Sequence, residues 1–461
     1  MSRGTASWPD GLLLAYYGDD FTGSTDAMEA MTAAGVPTVL FLRTPTPADL
    51  ARFPQARCVG LAGASRGRSP AWMDAELPQA FAALAALGAP VLHYKVCSTF
   101  DSSPTIGSIG RAIDIGVRHM PGRWSPCIVG APRLKRYQLF GNLFAAVDGE
   151  GHRLDRHPTM SRHPVTPMDE ADLRRHLARQ TDRPIALVDM VQLGQGAGAA
   201  RVAALQPPPA AATDAVPVVM IDVLDETTLR EAGALVWEQR GAGVFSASSS
   251  GLPYALTAHW RSQGLLPAQP GLPAITPVDQ IAAVSGSCSP VTAGQIAWAR
   301  ANGFATERLR LPQALHGSTR EAEIERTVAA AAQAVAQGRS ALVFSAEGPD
   351  DPSVRDFDAL AAEAGLPRAE AARLVGTALA EVMRRLLDRT ALRRVVVAGG
   401  DSSGEVASTL GIDALTVVAG LVPGAPLCRA WSALPQRDGL ELALKGGQMG
   451  EADFFGRALG R

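Results

Sequence analysis

No pair of cysteines in this chain stands in a CxxC arrangement, and only five occur in 461 residues: Cys58, Cys97, Cys127, Cys288 and Cys428. An odd, scattered set excludes a disulfide framework, argues against structural zinc and fits a reduced cytoplasm. Charge of one sign is also missing. Lys and Arg number 43 against 45 Asp and Glu, a formal charge of −2. That balance excludes bulk electrostatics as the means of holding nucleic acid or an anionic membrane. No run approaches the ~18 apolar residues of a membrane span. The N-terminus lacks the basic-then-apolar order of a secretory signal. Internal repeats and coiled-coil heptads are absent. So are GxxxxGK[ST] and the HRD and DFG elements, which excludes a P-loop NTPase and a protein kinase.

What is present is alternation. Short apolar runs bounded by Gly, Pro and Asp are expected as strands over residues 12–17, 38–42, 57–62, 91–96, 127–130, 184–188, 218–223 and 243–247, with helices such as 72–87 and 106–120 between them. This is the order of a mostly parallel sheet covered by helices. Residues 261–277 are rich in Pro, Gly and Gln, carry no apolar period and read as a linker. Beyond it, strands are expected over 281–284, 306–311, 341–345, 394–398, 414–418 and 440–444, with helices over 292–302, 321–337 and 368–389 and a short one from Glu405. The expectation is an α/β chain of two domains, 1–262 and 279–461, joined by a linker over 263–278. Each domain is a mostly parallel sheet flanked by helices.

Gly18-Asp19-Asp20-Phe21-Thr22-Gly23-Ser24-Thr25-Asp26 lies between an apolar run and a helix-like segment that stops at Gly35. Strand, tight polar loop and helix, in that order, form the sheet edge where ligands collect. Adjacent carboxylates are costly to bury without partners. Asp19 and Asp20 therefore point to a hydroxyl, a cation or a metal, unless one simply caps the helix. Ala64-Ser65-Arg66-Gly67-Arg68 follows a strand and so shares this edge; Arg66 either forks onto a carboxylate or is a surface arginine. His93-Tyr94-Lys95-Val96-Cys97-Ser98-Thr99-Phe100-Asp101-Ser102-Ser103 leaves a strand with a lysine that is hard to explain as solvated surface. Ser98, Thr99, Asp101 and Ser102 can donate to and accept from a polyhydroxylated ligand. Ser246-Ala247-Ser248-Ser249-Ser250-Gly251 ends a later strand with the same hydroxyl-rich character.

The second half carries Val284-Ser285-Gly286-Ser287-Cys288-Ser289 and Val397-Ala398-Gly399-Gly400-Asp401-Ser402-Ser403-Gly404, each opening a helix after a strand, and Lys445-Gly446-Gly447-Gln448-Met449-Gly450 after the last strand. Glycines let the backbone turn its N–H groups outward, and a helix N-terminus adds partial positive charge; both suit phosphate. Any one of the three reads equally as a helix cap, but three on one sheet edge favour a nucleotide site. Gly194-Gln195-Gly196-Ala197-Gly198-Ala199 matches the GxGxxA form, with Asp222 downstream as a ribose-binding acid. Residues 189–193 separate it from its strand, however, and the following helix runs into Pro207-Pro208-Pro209. His152, His157 and His163 fit no ligand spacing and read as a solvated loop.

Five segments in this order resemble the four-carbon acid sugar kinase family, and the resemblance covers nearly the whole chain. They are Gly18-Asp19-Asp20-Phe21-Thr22-Gly23-Ser24, Tyr94-Lys95-Val96-Cys97-Ser98-Thr99-Phe100-Asp101-Ser102, Val284-Ser285-Gly286-Ser287-Cys288-Ser289-Pro290, Ala398-Gly399-Gly400-Asp401-Ser402-Ser403-Gly404 and Leu444-Lys445-Gly446-Gly447. The resemblance implies ATP-dependent phosphorylation of the 4-hydroxyl of threonate, erythronate or a 3-oxo-tetronate. It implies an N-terminal domain for the acid sugar, a C-terminal domain for ATP and an active site in the cleft between them. Asp20, Arg66 and residues 95–98 would face the sugar acid; Ser287, Gly399, Gly400, Asp401, Ser402 and Gly447 would face ATP.

On this basis Asp20, with Asp19 beside it, is assigned to orienting the hydroxyl and accepting its proton. Lys95 would neutralise phosphoryl charge or hold the carboxylate, and Arg66 would bind the carboxylate. Ser98, Asp101 and Ser102 complete the substrate set, and Ser285 and Gly446 the nucleotide set, with Mg2+ accompanying ATP. The partner is a small acid sugar, and a homodimer is left open. Two segments depart from the family form: Gly18 stands where Ala is usual, and Ser102-Ser103-Pro104-Thr105-Ile106-Gly107-Ser108-Ile109-Gly110 replaces a shorter Ser-Thr-Leu-Arg-Gly version. The alternatives are an NAD-dependent dehydrogenase using the Gly194 loop and a catalytically idle acid-sugar sensor.

Overall fold

The computed structural model of the chain describes residues 8–147, 149–163, 165–208, 211–268 and 271–461. Pro209 of the proline run and Gln269 and Pro270 of the expected linker lie outside the described residues. The chain divides into two compact units, Met1–Gly271 and Leu272–Arg461.

The first unit contains β1 (Leu14–Gly18), β2 (Thr38–Phe41), β3 (Cys58–Ala62), β4 (Val91–Lys95), β5 (Ser125–Cys127), β6 (Arg136–Leu139), β7 (Asn142–Val147), β8 (Glu150–Arg153), β9 (Ile185–Val188), β10 (Val218–Ile221) and β11 (Val244–Ser248). Strands β11-β4-β1-β3-β2 lie side by side in that order, all parallel. Every residue of β1, β4 and β11 is buried, as expected of parallel strands covered on both faces. Phe81, on the helix Pro70–Ala85, meets Tyr17 and Tyr94 edge-on with ring centroids at 5.8 and 5.9 Å, and the two tyrosines stack at 6.0 Å. This aromatic block stands one residue short of the strand ends that carry the site. Two smaller sheets flank it, parallel β5-β10-β9 and antiparallel β6-β7-β8.

The second unit contains β12 (Ala282–Ser285), β13 (Ala305–Arg308), β14 (Ala341–Phe344), β15 (Arg394–Ala398), β16 (Ala414–Val422), β17 (Ala425–Trp431) and β18 (Glu441–Lys445). Their order is β16-β17-β18-β15-β12-β14-β13, parallel from β18 onward, with β17 antiparallel to both its neighbours. Both units are thus α/β, with mostly parallel strands flanked by helices. No helix among the described residues is long and apolar enough to cross a membrane.

Several expectations need correction, among them the strand over 306–311, which is β13 and ends at Arg308, with Leu311 opening a helix. The strand expected over 127–130 is β5, which ends at Cys127. The antiparallel β6-β7-β8 and β17 are absent from the expected strands; the turn from β6 to β7 carries two left-handed residues, Phe140 (φ +49) and Gly141 (φ +80), and left-handed Gly149 (φ +83) and Gly424 (φ +82) stand just before β8 and β17. The helix expected from Glu405 begins at Gly400 and takes in the glycine loop as its first turn.

Candidate active site

Strand register sets the site of the first unit. Gly18 is level with Ala62 on one side and Lys95 on the other, and Lys95 is level with Ser248. Asp19 follows Gly18 directly. Its N–H donates to the Lys95 carbonyl and its carbonyl accepts from the Arg66 N–H, both at 2.9 Å. Asp20 caps the helix Phe21–Ala33, its Oδ1 accepting from the Gly23 N–H at 2.7 Å.

Capping is only part of what Asp20 does. Arg66 Nε and Nη2 donate to Asp19 Oδ2 and Oδ1 at 3.0 and 2.7 Å, while Nη1 and Nη2 donate to Asp20 Oδ2 and Oδ1 at 2.7 and 2.9 Å. A guanidinium has five N–H donors. The fork that sequence reasoning offered to a substrate carboxylate is therefore filled by the chain's own two. Tyr94 Oη and Ser65 Oγ share a hydrogen bond of 2.8 Å that steadies the turn Ser65–Gly67 beneath Arg66. Asp19 is 4% exposed. Burial pushes its carboxyl above the ordinary range while Arg66 pulls it back. Burial also works against the Arg66 charge, but Asp19 and Asp20 more than offset it.

Lys95 is buried as its position in β4 implies. Its Nζ donates to the Val96 carbonyl at 3.0 Å and lies 3.5 Å from Asp26 Oδ2, which also accepts from the Ser250 hydroxyl. Gly23 is what lets these groups converge. A Cβ there would stand 2.5 Å from Asp20 Oδ1 and 3.1 Å from Lys95 Nζ. Asp26 was not singled out from the sequence, although it ends the same motif.

The loop after β4 separates the three candidate substrate residues. Thr99 Oγ1 donates to Asp101 Oδ1 at 2.6 Å. Asp101 is buried, yet the Arg66 charge and the Thr99 hydroxyl hold its carboxyl below the usual range. Ser102 Oγ donates to the Phe100 carbonyl at 3.0 Å, accepts from Gln180 Nε2 at 2.9 Å and lies 3.0 Å from His176 Nε2. Ser98 is half-buried, and its hydroxyl bonds no side chain among the described residues. Ser98 thus keeps its hydroxyl clear of other side chains, whereas Ser102 is tied into the wall. A cavity of about 200 Å³ opens beside this loop, with Ser102, Ser103, Thr166, His176 and Gln180 in its lining. His176 and Gln180 carried no sequence signal, because they reach Ser102 from more than seventy residues away.

Burial, with Arg179 adding to it, brings His176 down to about 4. That lies below the ~6.5 of an unfolded histidine. Its contribution to stability is therefore complete above ~6.5 and is lost as pH falls through the folded value. Tm measured from pH 7 to pH 4 should fall more steeply in the wild type than in His176→Gln; equal slopes would remove His176 from the acid response.

In the second unit Ser285, Ala398 and Lys445 are level across β12, β15 and β18, so the three glycine loops leave from one line. Gly399 has φ +125 and caps the helix Gly400–Thr409. A Cβ on Gly399 would lie 3.2 Å from Ser402 Oγ and 3.4 Å from the Ser287 nitrogen, and one on Gly447 would lie 2.7 Å from Ser287 Oγ. Ser287, Gly399, Ser402 and Gly447 therefore form one cradle. Gly400 and Asp401 open the helix, with Asp401 exposed, and Ser285 Oγ accepts from the Ser287 N–H at 3.4 Å. Lys445 lies beneath the cradle, fully buried, its Nζ donating to Thr292 Oγ1 and the Gly446 carbonyl at 3.0 Å each. Burial lowers it to about 8. A Gly446 carbonyl turned inward leaves the N–H of the same peptide, on Gly447, turned outward.

The two remaining motifs have structural explanations. Asp222 accepts from the N–H groups of Phe140, Gly141 and Met190 and from Gln138 Nε2, so its carboxylate is committed within the fold. A short helix, Met190–Gly194, precedes the Gly194 loop where a dinucleotide site needs a strand. His157 Nδ1 accepts from the Thr159 and Met160 N–H groups, and His163 Nδ1 from that of Thr166, as local turn acceptors. No group of three metal-ligating side chains converges among the described residues.

Comparison with known proteins gives each unit a family of its own. The sugar-binding N-terminal domain family matches residues 14–256 and the nucleotide-binding C-terminal domain family matches residues 282–455. The 3-oxo-isoapionate kinase of Paraburkholderia graminis is 73% identical, over 98% of this chain and 94% of its own. The 3-oxo-tetronate kinase of Cupriavidus necator is 32% identical, over 97% and 96%. A Salmonella typhimurium structure described as a putative tRNA synthase shares the fold, with a TM-score of 0.76 at 24% identity over 96% of this chain and 98% of its own. The acidic loop falls in the sugar-binding match, the glycine cradle falls in the nucleotide-binding match, and the kinases align along nearly their whole length: the chain belongs to the four-carbon acid sugar kinase family.

Proposed function

We propose that this chain transfers the γ-phosphoryl group of MgATP to the 4-hydroxyl of a 3-oxo sugar acid of the isoapionate or tetronate kind. The observation that carries this is Asp20. It is the partly exposed member of the carboxylate pair, 28% against 6% for Asp19 by side chain, and it is fixed by both the helix cap and Arg66. Phosphoryl transfer needs positioning and charge stabilisation more than covalent help. Asp20 orients the hydroxyl and takes its proton as the bond to phosphorus forms. Asp19 and Arg66 hold Asp20 in place, Lys95 offsets negative charge at the transferred group, and Ser98 bonds a substrate hydroxyl.

ATP is held by the outward N–H groups around Ser287, Gly399, Ser402 and Gly447. Mg2+ takes most of its ligands from phosphate and water, and Asp401 is the exposed carboxylate beside the cradle that suits it. The five free cysteines agree with a cytoplasmic setting. A coupled ADP-release assay over a panel of four-carbon acids and 3-oxo-isoapionate should show MgATP-dependent turnover, highest with 3-oxo-isoapionate, as the 73% identity to that kinase suggests. Binding of ATP without ADP release on any acid would favour the sensor reading.

A further inference from the structure

The proposed reaction leaves one group of the substrate without a partner. A sugar acid is an anion; at the strand edge Arg66 is engaged by Asp19 and Asp20, and Lys95, paired with Asp26, is given to the transferred phosphoryl group. We infer that Arg136 binds the substrate carboxylate through the Nε–Nη2 edge of its guanidinium; this rests on the kinase reading.

Arg136 opens β6. Its Nη1 is anchored by the chain carbonyls of Leu134, Lys135 and Ala146 at 3.0, 3.2 and 3.4 Å. Its Nε is buried without a hydrogen-bond partner. Among the described residues Nη2 has no partner either, and no carboxylate pairs with the guanidinium. The anchored nitrogen thus fixes the plane and leaves the two-pronged edge that matches a carboxylate. A buried, unpaired N–H on a cation is costly, and an arriving anion would satisfy it.

The position fits as well. Arg136 pairs with Ala131 through N–H···O bonds of 2.9 and 3.2 Å. Just before Ala131, Val129 accepts from Ser249 Oγ at 2.7 Å, and the Gly130 carbonyl sits against Gly251 so closely that a Cβ there would collide. Ser250, between those two contacts, bonds Asp26, the partner of Lys95. Cys97, in the substrate loop, lies within electrostatic reach of Arg136. Other arginines with a buried, unpaired nitrogen do not combine these features. Arg183 and Arg429 have acidic partners, and Arg57 stands before the first residue of β3, at the opposite strand end.

The test compares the acid that the wild type turns over best with its carboxamide. Wild type should prefer the acid in kcat/KM by on the order of 100-fold, as expected for a desolvated charge-assisted fork. Arg136→Gln should bring that ratio close to one with the Kd for ATP unchanged, and Arg136→Lys should keep part of the preference. A wild-type ratio retained in Arg136→Gln overturns the inference; so does one retained in Arg136→Lys, should the glutamine variant not fold. Wild type that phosphorylates no sugar acid would overturn the kinase reading itself, whereas turnover with an unchanged ratio overturns only the role of Arg136.

Discussion

Asp20→Asn is expected to lower kcat by ~100-fold to 10,000-fold, the usual effect of losing a positioned proton acceptor, while the Kd for ATP stays close to wild type. Asparagine is as good an N-cap as aspartate, so the bond to the Gly23 N–H has a replacement and the helix Phe21–Ala33 should keep its start. What asparagine cannot do is take a proton or hold Arg66 by charge. The variant therefore separates the two roles the structure gives this side chain. Steady-state kinetics with saturating MgATP, beside a calorimetric ATP titration, checks it. Near-normal kcat in a folded variant would reduce Asp20 to a cap.

Arg66→Ala should have the largest effect on stability, because it leaves two adjacent carboxylates, one of them buried, without their counter-charge. Removing one partner of a buried ion pair costs ~3–5 kcal/mol. Activity should fall as well, since the single cap bond from the Gly23 N–H is then all that fixes the Asp20 carboxylate. Arg66→Lys should rescue little, for one ammonium cannot make two forks. The loss should also depend on pH. Without Arg66, the folded-state pKa of Asp19 stands still further above its unfolded value of ~3.9. A group raised in the folded state contributes stability that is present below the unfolded value and lost as pH rises through the folded one. The Tm deficit of Arg66→Ala should therefore shrink from pH 8 to pH 5. A deficit that is constant with pH would mean that the carboxylates find other partners.

Much of the site was legible because it is local. Asp19 and Asp20 sit between a buried strand and its helix, Lys95 lies inside a buried strand, and each glycine loop follows an apolar run; spacing along the chain is enough to place them. Partners were not legible. Arg66 reaches Asp19 and Asp20 across 47 and 46 residues, so its carboxylate fork, plain in the sequence, gave no sign of being filled from within. Ser102 and Ser98 look alike as residues, and only His176 and Gln180, brought in by the fold, distinguish them. Lys445 shows in its motif, but its place under the cradle depends on Thr292. Of the antiparallel strands β6 to β8, the outer two, Arg136–Leu139 and Glu150–Arg153, are largely polar and carry no apolar run, and Arg136 was missed with them.

The central claim is that phosphate moves from ATP to one hydroxyl of a sugar acid. Phosphorus NMR on the wild type, with MgATP and 3-oxo-isoapionate in equal amounts, tests it most directly. The predicted result is one phosphate ester on the 4-hydroxyl for each ADP formed. ADP accompanied only by inorganic phosphate, or a phosphate carried on the carboxylate, would contradict it.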